Sequence, residues 1–144
     1  MEILERLRLV HSSEQTVLVV DDDEVCLLMM HSLLRQIGDG ICVKTFVNPI
    51  EGLEWAQRHV ADLVVIDCVM PDMDGIAFLR AIKDLPDYAL VPTLMVTVAT
   101  ERSIRYEALD AGVTDFLQKP IDVYECFARC RNLLTLRLKY RGMG

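Results

Sequence analysis

Five short apolar segments alternate with five amphipathic segments along this chain, and this alternation is the strongest constraint on its fold. The apolar segments are four to six residues long, and most are rich in β-branched side chains, as is typical of strands covered on both faces. They lie at 16–20, 41–46, 63–67, 93–96 and 115–118. Repeated β–α units predict an α/β protein with a doubly wound parallel sheet and helices on both faces. The common order for five strands is 2-1-3-4-5.

The predicted helices follow from apolar spacing and from residues that begin or end helices. Asn48 and Pro49 predict the start of the second helix, and Gly112 predicts the end of the fourth. The fourth helix is expected to bury Ile104 and Leu109. The first helix is expected to bury the face that carries Val25, Leu28, Met29, Ser32 and Leu33.

The chain is long enough for one domain, with 144 residues. Residues 16–134 are predicted to form that domain. Residues 1–15 are a lead-in with the apolar spacing of a short helix, and residues 135–144 extend the fifth, C-terminal helix beyond the sheet.

Composition excludes several classes of protein. The net charge of −7 argues against a nucleic-acid-binding surface. All apolar runs are far shorter than the ~18 residues that span a membrane. The five cysteines have no CxxC spacing, which fits reduced thiols in a cytoplasmic protein. From the charge and the short apolar runs we expect no nucleic-acid or membrane partner.

Four of the five predicted strands lead into a charged or hydroxyl side chain. The first runs into the acids at 21–23, the third ends at Asp67, and the last two lead to Thr97 and Lys119. The carboxyl ends of parallel strands share one edge of the sheet, where α/β proteins bind ligands. In the order 2-1-3-4-5 the third strand is central, so Asp67 should lie in the middle of a pocket.

This set of side chains predicts phosphoryl-transfer chemistry. Clustered carboxylates raise one another's pKa unless a cation lies between them, and an all-oxygen cluster suits Mg²⁺. With the cation bound, Asp67 stays ionised and can act as a nucleophile, as carboxylates do in phosphoryl transfer. Mg²⁺, Lys119 and the Thr97 hydroxyl would stabilise the transferred group.

The segments around these residues resemble the receiver domain of two-component response regulators, the CheY-like family. The matching segments are Val-Val-Asp-Asp at 19–22, Ile-Asp at 66–67, Met-Pro-x-Met-Asp-Gly at 70–75, Val-Thr at 96–97 and Lys-Pro at 119–120. The resemblance extends over roughly 16–134. It implies a flavodoxin-like fold and a phosphoacceptor signalling domain rather than a multiple-turnover enzyme, with a sensor histidine kinase as phosphodonor.

The resemblance implies a metal site as well as a phosphoacceptor. Asp67 would accept the phosphoryl group. Asp22, Asp67 and the backbone carbonyl of Val69 would bind Mg²⁺ directly, and Asp21 would act through water.

The resemblance also implies a switch. Thr97 would move to bond the phosphoryl group, and Lys119 would pair with it. Phe116 occupies the aromatic switch position and would pack inward when Thr97 moves. The peptide bond before Pro120 is often cis in this family.

Several residues depart from the family pattern. Val98 follows Thr97 where the family usually has a smaller residue, which should narrow access for a phosphodonor. Phe116 lacks a hydroxyl, so switching would rest on packing. Val69 and Ala99 cannot position an attacking water by a hydrogen bond, and we therefore expect slow self-dephosphorylation.

The long C-terminal helix looks like a signalling linker towards an output domain. The segment 111–122, with 131–134, resembles receivers that precede HD-GYP cyclic-di-GMP phosphodiesterase domains. HD-GYP residues are absent from the sequence, so this chain would be a regulatory fragment or a stand-alone receiver. A homodimer could form through the fourth helix, fifth strand and fifth helix, or through the extended fifth helix.

Two other functions fit part of the sequence. Asp21, Asp23 and Val25 match the nucleophile motif of haloacid-dehalogenase-like phosphatases, with Asp21 as nucleophile, but that interpretation leaves 67–75 unexplained. The chain could instead be a docking or dimerisation module that does not depend on phosphorylation. The intact acidic set and Lys119 argue against this second alternative.

Overall fold

A computed structural model describes residues 14–98 and 102–143, so the N-terminal lead-in lies almost wholly outside the described residues. The sheet has five parallel strands in the order β2-β1-β3-β4-β5, which confirms the predicted fold class and strand order. The strands are β1 Gln15–Val20, β2 Ile41–Phe46, β3 Leu63–Asp67, β4 Thr93–Thr97 and β5 Asp115–Gln118. The helices are α1 Glu24–Arg35, α2 Pro49–Arg58, α3 Gly75–Lys83, α4 Arg102–Asp110 and α5 Val123–Met143. A short 3-10 helix, Pro86–Tyr88, precedes β4.

Alternate side chains of each strand enter two separate cores, one on each face of the sheet. In β1, Val17 and Val19 pack with α1 and α5, whereas Leu18 and Val20 pack with α2 and α3. This alternation is the period-two geometry of a strand. It explains why the strands read as continuous apolar runs, since both faces are covered.

The buried face of α1 differs from the predicted one. Val25 and Leu28 are 74% and 72% exposed, whereas Leu33 is buried as predicted, together with Leu27, Met30 and Leu34. Both stripes have helical spacing and apolar residues, so spacing alone could not choose between them. Tertiary packing decides between them, because Leu27, Met30 and Leu34 lie in one core with residues of β1 and α5.

A similar difference occurs in α4. Leu109 is exposed and Ala108 is fully buried, while Ile104 is half-buried against the core as expected. The predicted helix ends are confirmed: the Asn48 side chain accepts from the Ile50 N–H, and Gly112 has a φ of 96° after α4.

Tyr88 ties the 3-10 helix to the loop before β3, and it gives a first testable prediction. Its fully buried hydroxyl donates to the His59 carbonyl at 2.6 Å and accepts from the Ala61 N–H at 3.0 Å. Tyr88→Phe leaves both backbone groups without this partner, so the free energy of unfolding should fall by about 1–2 kcal/mol in urea denaturation. Tyr124→Phe, at an exposed tyrosine, is the control. Equal stability of the two variants would contradict the prediction.

Candidate functional site

The carboxyl edge of the sheet brings together the predicted site residues. Asp21 and Asp22 follow β1, and Asp67 is the last residue of β3. One carboxylate oxygen from each of these three residues lies within 4.8 Å of the other two. Thr97 ends β4 and is buried, and Lys119 follows β5, with its N–H donating to the Thr97 carbonyl at 2.9 Å.

Lys119 and Asp67 form the central ion pair of the site. The Lys119 ammonium donates to Asp67 Oδ1 at 3.2 Å, and the Asp67 side chain is only 7% exposed. The backbone N–H of Val69 also lies 3.4 Å from Oδ1. One oxygen of Asp67 is therefore held by two donors, while its carboxylate faces the other acids.

The three acids after β1 divide into two roles. Asp23 is the N-cap of α1, because its side chain accepts from the N–H groups of Val25 and Cys26. Asp21 is buried, and its Oδ1 accepts from the Asp23 N–H at 2.9 Å. Asp22 is exposed. Capping thus accounts for Asp23 and leaves Asp21 and Asp22 beside Asp67.

The electrostatics of the site favour an additional cation. Burial and the charge of Asp21 raise the pKa of Asp67 to about 6, although Lys119 opposes the rise. Burial alone would lower the pKa of Lys119, but the charge of Asp67 and their hydrogen bond raise it. The donor set of carboxylate oxygens fits a hard divalent cation such as Mg²⁺. Asp21, Asp22 and Asp67 are the residues that could hold it.

The start of α3 is locked onto the end of β3. The Gly75 N–H donates to the Cys68 carbonyl at 2.9 Å, and Asp74 caps α3 by accepting from the Ala77 N–H at 2.8 Å. A Cβ on Gly75 would collide with the carbonyl oxygen of Asp67 and lie 2.8 Å from the Cα of Cys68. The resemblance covers the segment 70–75, but the sequence did not reveal this close backbone contact.

The residues predicted to affect phosphodonor access and switching differ in their exposure. Val69 and Val98 are 67% and 61% exposed, and Phe116 is half-buried with the Arg105 guanidinium 5.3 Å from its ring centroid. The Lys119–Pro120 peptide bond is cis, as the resemblance implies. Ala99 lies outside the described residues.

Cys26 is a neighbour of the site that the sequence did not reveal. Burial, a side-chain hydrogen bond to Asp21 and the charge of Asp21 raise the pKa of this thiol to about 12. Cys26 lies in the first turn of α1, and the capped start of that helix turns it towards Asp21. The only sequence signal was its position shortly after the acidic run.

Within residues 14–98 and 102–143, the structure holds no helix with the length and apolar character needed to cross a bilayer.

A curated relative, the cyclic di-GMP phosphodiesterase response regulator RpfG of Xanthomonas campestris pv. campestris, is 38% identical over 121 residues. The match covers 84% of this chain and 32% of RpfG, so the chain spans about a third of that relative.

Solved structures share the fold. Vibrio cholerae chemotaxis protein CheY4 superposes with a TM-score of 0.78 at 28% identity, over 84% of this chain and 99% of CheY4. The receiver domain of Pseudomonas aeruginosa sensor histidine kinase PA1611 gives 0.74 at 26% identity, over 85% of this chain and 98% of that domain. The PA1611 structure has a magnesium ion coordinated in its active site cleft. Residues 17–131 match the response regulator receiver domain family, and because that match includes all the strand-end residues described above, the chain belongs to this family.

Proposed function

We propose that this chain is a phosphorylation switch in which Asp67 accepts a phosphoryl group from a sensor histidine kinase. Receiver domains are phosphoacceptor signalling domains that take phosphate from histidine kinases, bind Mg²⁺ at an acidic site and regulate output domains. The observation that supports Asp67 as acceptor is its position beside two charged groups. The buried carboxylate of Asp21 is close to it, and the Lys119 ammonium lies 3.2 Å from its Oδ1. Asp22, Asp67 and the Val69 carbonyl would hold Mg²⁺, with Asp21 acting through water.

The chemistry assigned to Asp67 is attack on phosphorus. Because Lys119 and the Val69 N–H bond to Oδ1, we assign the attack to Oδ2. A P–O bond forms as the P–N bond of the donor phosphohistidine breaks, and the imidazole leaves with the electron pair and takes up a proton. Bound Mg²⁺ would supply positive charge to the phosphoryl oxygens. Lys119 stays protonated and stabilises the same charge.

Intact-mass measurement after incubation with acetyl phosphate and Mg²⁺ tests this assignment. We expect wild type to gain one phosphoryl group and Asp67→Asn to gain none, since the amide oxygen is a poor nucleophile. Asp39→Asn, at an exposed acid outside the site, is the matched control and should be labelled like wild type. Label that persists on Asp67→Asn and disappears with Asp21→Asn would contradict the assignment and favour a phosphatase-like nucleophile. Family membership does not favour that alternative.

We also propose that phosphorylation acts through the surface formed by α4, β5 and α5. Thr97 ends β4 and Phe116 lies on the neighbouring β5, so these two residues would connect this surface to the site. Moving a two-state switch from mostly off to mostly on takes ~5.5 kcal/mol of differential stabilisation. Pairing of the phosphoryl group with Lys119 and Thr97 is the proposed source. The same surface exposes Tyr106, Leu109 and Tyr124, and it could pair two chains, as could the extended α5.

The output is proposed to be cyclic-di-GMP signalling. The relative RpfG is named for cyclic di-GMP phosphodiesterase activity, and two thirds of its length lie outside the match. An HD-GYP domain following this receiver in the intact protein would be the regulated partner. Self-phosphorylation and self-dephosphorylation would be the only reactions of the receiver itself.

The phosphoryl group on Asp67 is expected to persist for minutes or longer. Val69 lies two residues after Asp67 and has an exposed apolar side chain, which cannot orient a water for in-line attack. Val69→Asn supplies such a group and should shorten the half-life by about tenfold. Desalted phosphoprotein followed by intact mass measures the decay, with Val69→Leu as the apolar control. A wild-type half-life of seconds would contradict the prediction.

A further inference from the structure

The second half of α5 contacts the end of the sheet opposite the acidic site. The Gln15 side chain donates to the Leu134 carbonyl at 2.9 Å, and Arg141 donates to the Glu14 carbonyl at 3.4 Å. Gln15 is the first residue of β1, and Glu14 immediately precedes it. Two turns of α5 are therefore hydrogen-bonded to the residues that begin strand β1.

A buried carboxylate provides the strongest of these contacts. Asp62 immediately precedes β3 and is buried. Its Oδ2 accepts from the Thr16 N–H at 2.8 Å, and its Oδ1 accepts from Arg137 Nε at 3.3 Å and Arg141 Nη1 at 3.4 Å. Asp62 thus connects β1, β3 and α5 through both of its oxygens.

The spacing of the helix places these contacts on one face. Arg137 and Arg141 are four residues apart and project from the same side of α5. The adjacent stripe, Leu136 and Tyr140, lines a cavity of about 200 Å³ with Pro92 before β4. Charged and apolar side chains of this half of α5 therefore face the fold.

We propose that Asp62, Arg137 and Arg141 form an ionic latch that makes residues 135–141 a fixed part of the folded domain. The latch holds α5 along one direction relative to the sheet, and a segment that follows Arg141 inherits that direction. The folded unit then ends about two turns later than residue 134, the boundary expected from sequence. This inference does not depend on phosphorylation of Asp67.

The two arginines of the latch differ in the exposed fraction of their side chains. The Arg137 and Asp62 side chains are 13% and 10% exposed, whereas Arg141 is 47% exposed. Exposed ion pairs contribute little to stability, but removing one partner of a buried pair leaves an uncompensated charge. Arg137 should therefore dominate the latch, with Arg141 in a supporting role.

Hydrogen–deuterium exchange on the full chain tests the latch. Arg137→Gln and Asp62→Asn should each speed exchange of the amides at 136–141 by about tenfold or more relative to wild type. Lys139→Gln, which removes a positive charge from an exposed position on the same half of α5, should change it by less than about twofold. Arg141→Gln should give an intermediate effect, and it keeps the test usable if Arg137→Gln unfolds the chain.

The double variant distinguishes a latch from independent surface effects. Asp62→Asn with Arg137→Gln should cost less protection than the two single effects multiplied together, because each single change already breaks the same pair. The proposal is overturned if wild-type amides at 136–141 exchange like an unfolded peptide. It is also overturned if Arg137→Gln or Arg141→Gln behaves like Lys139→Gln, or if the effects of Asp62→Asn and Arg137→Gln simply multiply.

Discussion

Gly75→Ala is expected to lower the free energy of unfolding by about 3 kcal/mol. The added methyl group would press against backbone atoms, which cannot move aside as a flexible side chain can. The new Cβ would collide with the Asp67 carbonyl and approach the Cα of Cys68 to 2.8 Å. Either α3 or the end of β3 must shift. A shift of β3 moves the Asp67 carboxylate relative to Lys119, so the rate of labelling by acetyl phosphate should fall as well.

Gly52→Ala is the matched control for this prediction. Gly52 is also a buried helical glycine, but its Cβ would meet only side-chain atoms, the nearest being a Val20 methyl at 3.0 Å. That contact can relax, and alanine is favoured over glycine in a helix by about 1 kcal/mol. Urea denaturation of both variants measures the difference. A Gly75→Ala variant as stable as Gly52→Ala, with unchanged labelling, would show that the α3–β3 contact is looser than described.

Asp67→Asn is expected to stabilise the metal-free protein near neutral pH by about 1–3 kcal/mol, at the same time as it abolishes phosphorylation. The pKa of Asp67 rises from 3.8 to about 6 on folding, through burial and the charge of Asp21. Between these values the native state binds more protons than the unfolded state, so stability falls as pH rises through that window. Above about pH 6 the full free-energy cost of burying the ionised Asp67 carboxylate is present. The neutral amide side chain of Asp67→Asn does not have this cost.

Denaturation in EDTA at several pH values measures this effect. The gap between Asp67→Asn and wild type should shrink as pH falls below 6 towards 3.8, where the native carboxyl is protonated. Added Mg²⁺ should stabilise wild type more than the variant, because a ligand of the native state raises its stability by mass action. Asp39→Asn controls for the loss of one acid. A variant less stable than wild type in EDTA would mean that the Lys119 pair outweighs the burial of Asp67.

Sequence predicted the sheet and the site because both depend on features that are local along the chain. Each apolar strand and each residue at its end can be read directly, and the parallel order then brings Asp67, Thr97 and Lys119 to one edge. The buried face of α1 could not be predicted, because two apolar stripes compete and packing against the sheet and α5 decides between them.

The contacts that sequence missed depend on how the helices pack against the sheet. Cys26 approaches Asp21 only after α1 has been positioned, and Gly75 matters because α3 packs on the backbone of β3. Arg137 and Arg141 look like an ordinary charged helix face. Asp62 lies 75 positions before Arg137, and only the fold brings them together.

The contacts of α5 with the sheet have a practical consequence for chimeric regulators. A fusion joined after Leu134 would keep the whole family match but would separate Asp62 from both arginines and leave a buried acid uncompensated. A junction after Arg141 keeps them together. An enzyme or DNA-binding module grafted there would begin on a helix of known direction, so its rotational phase could be set by adding or removing single residues, each about 100° of turn.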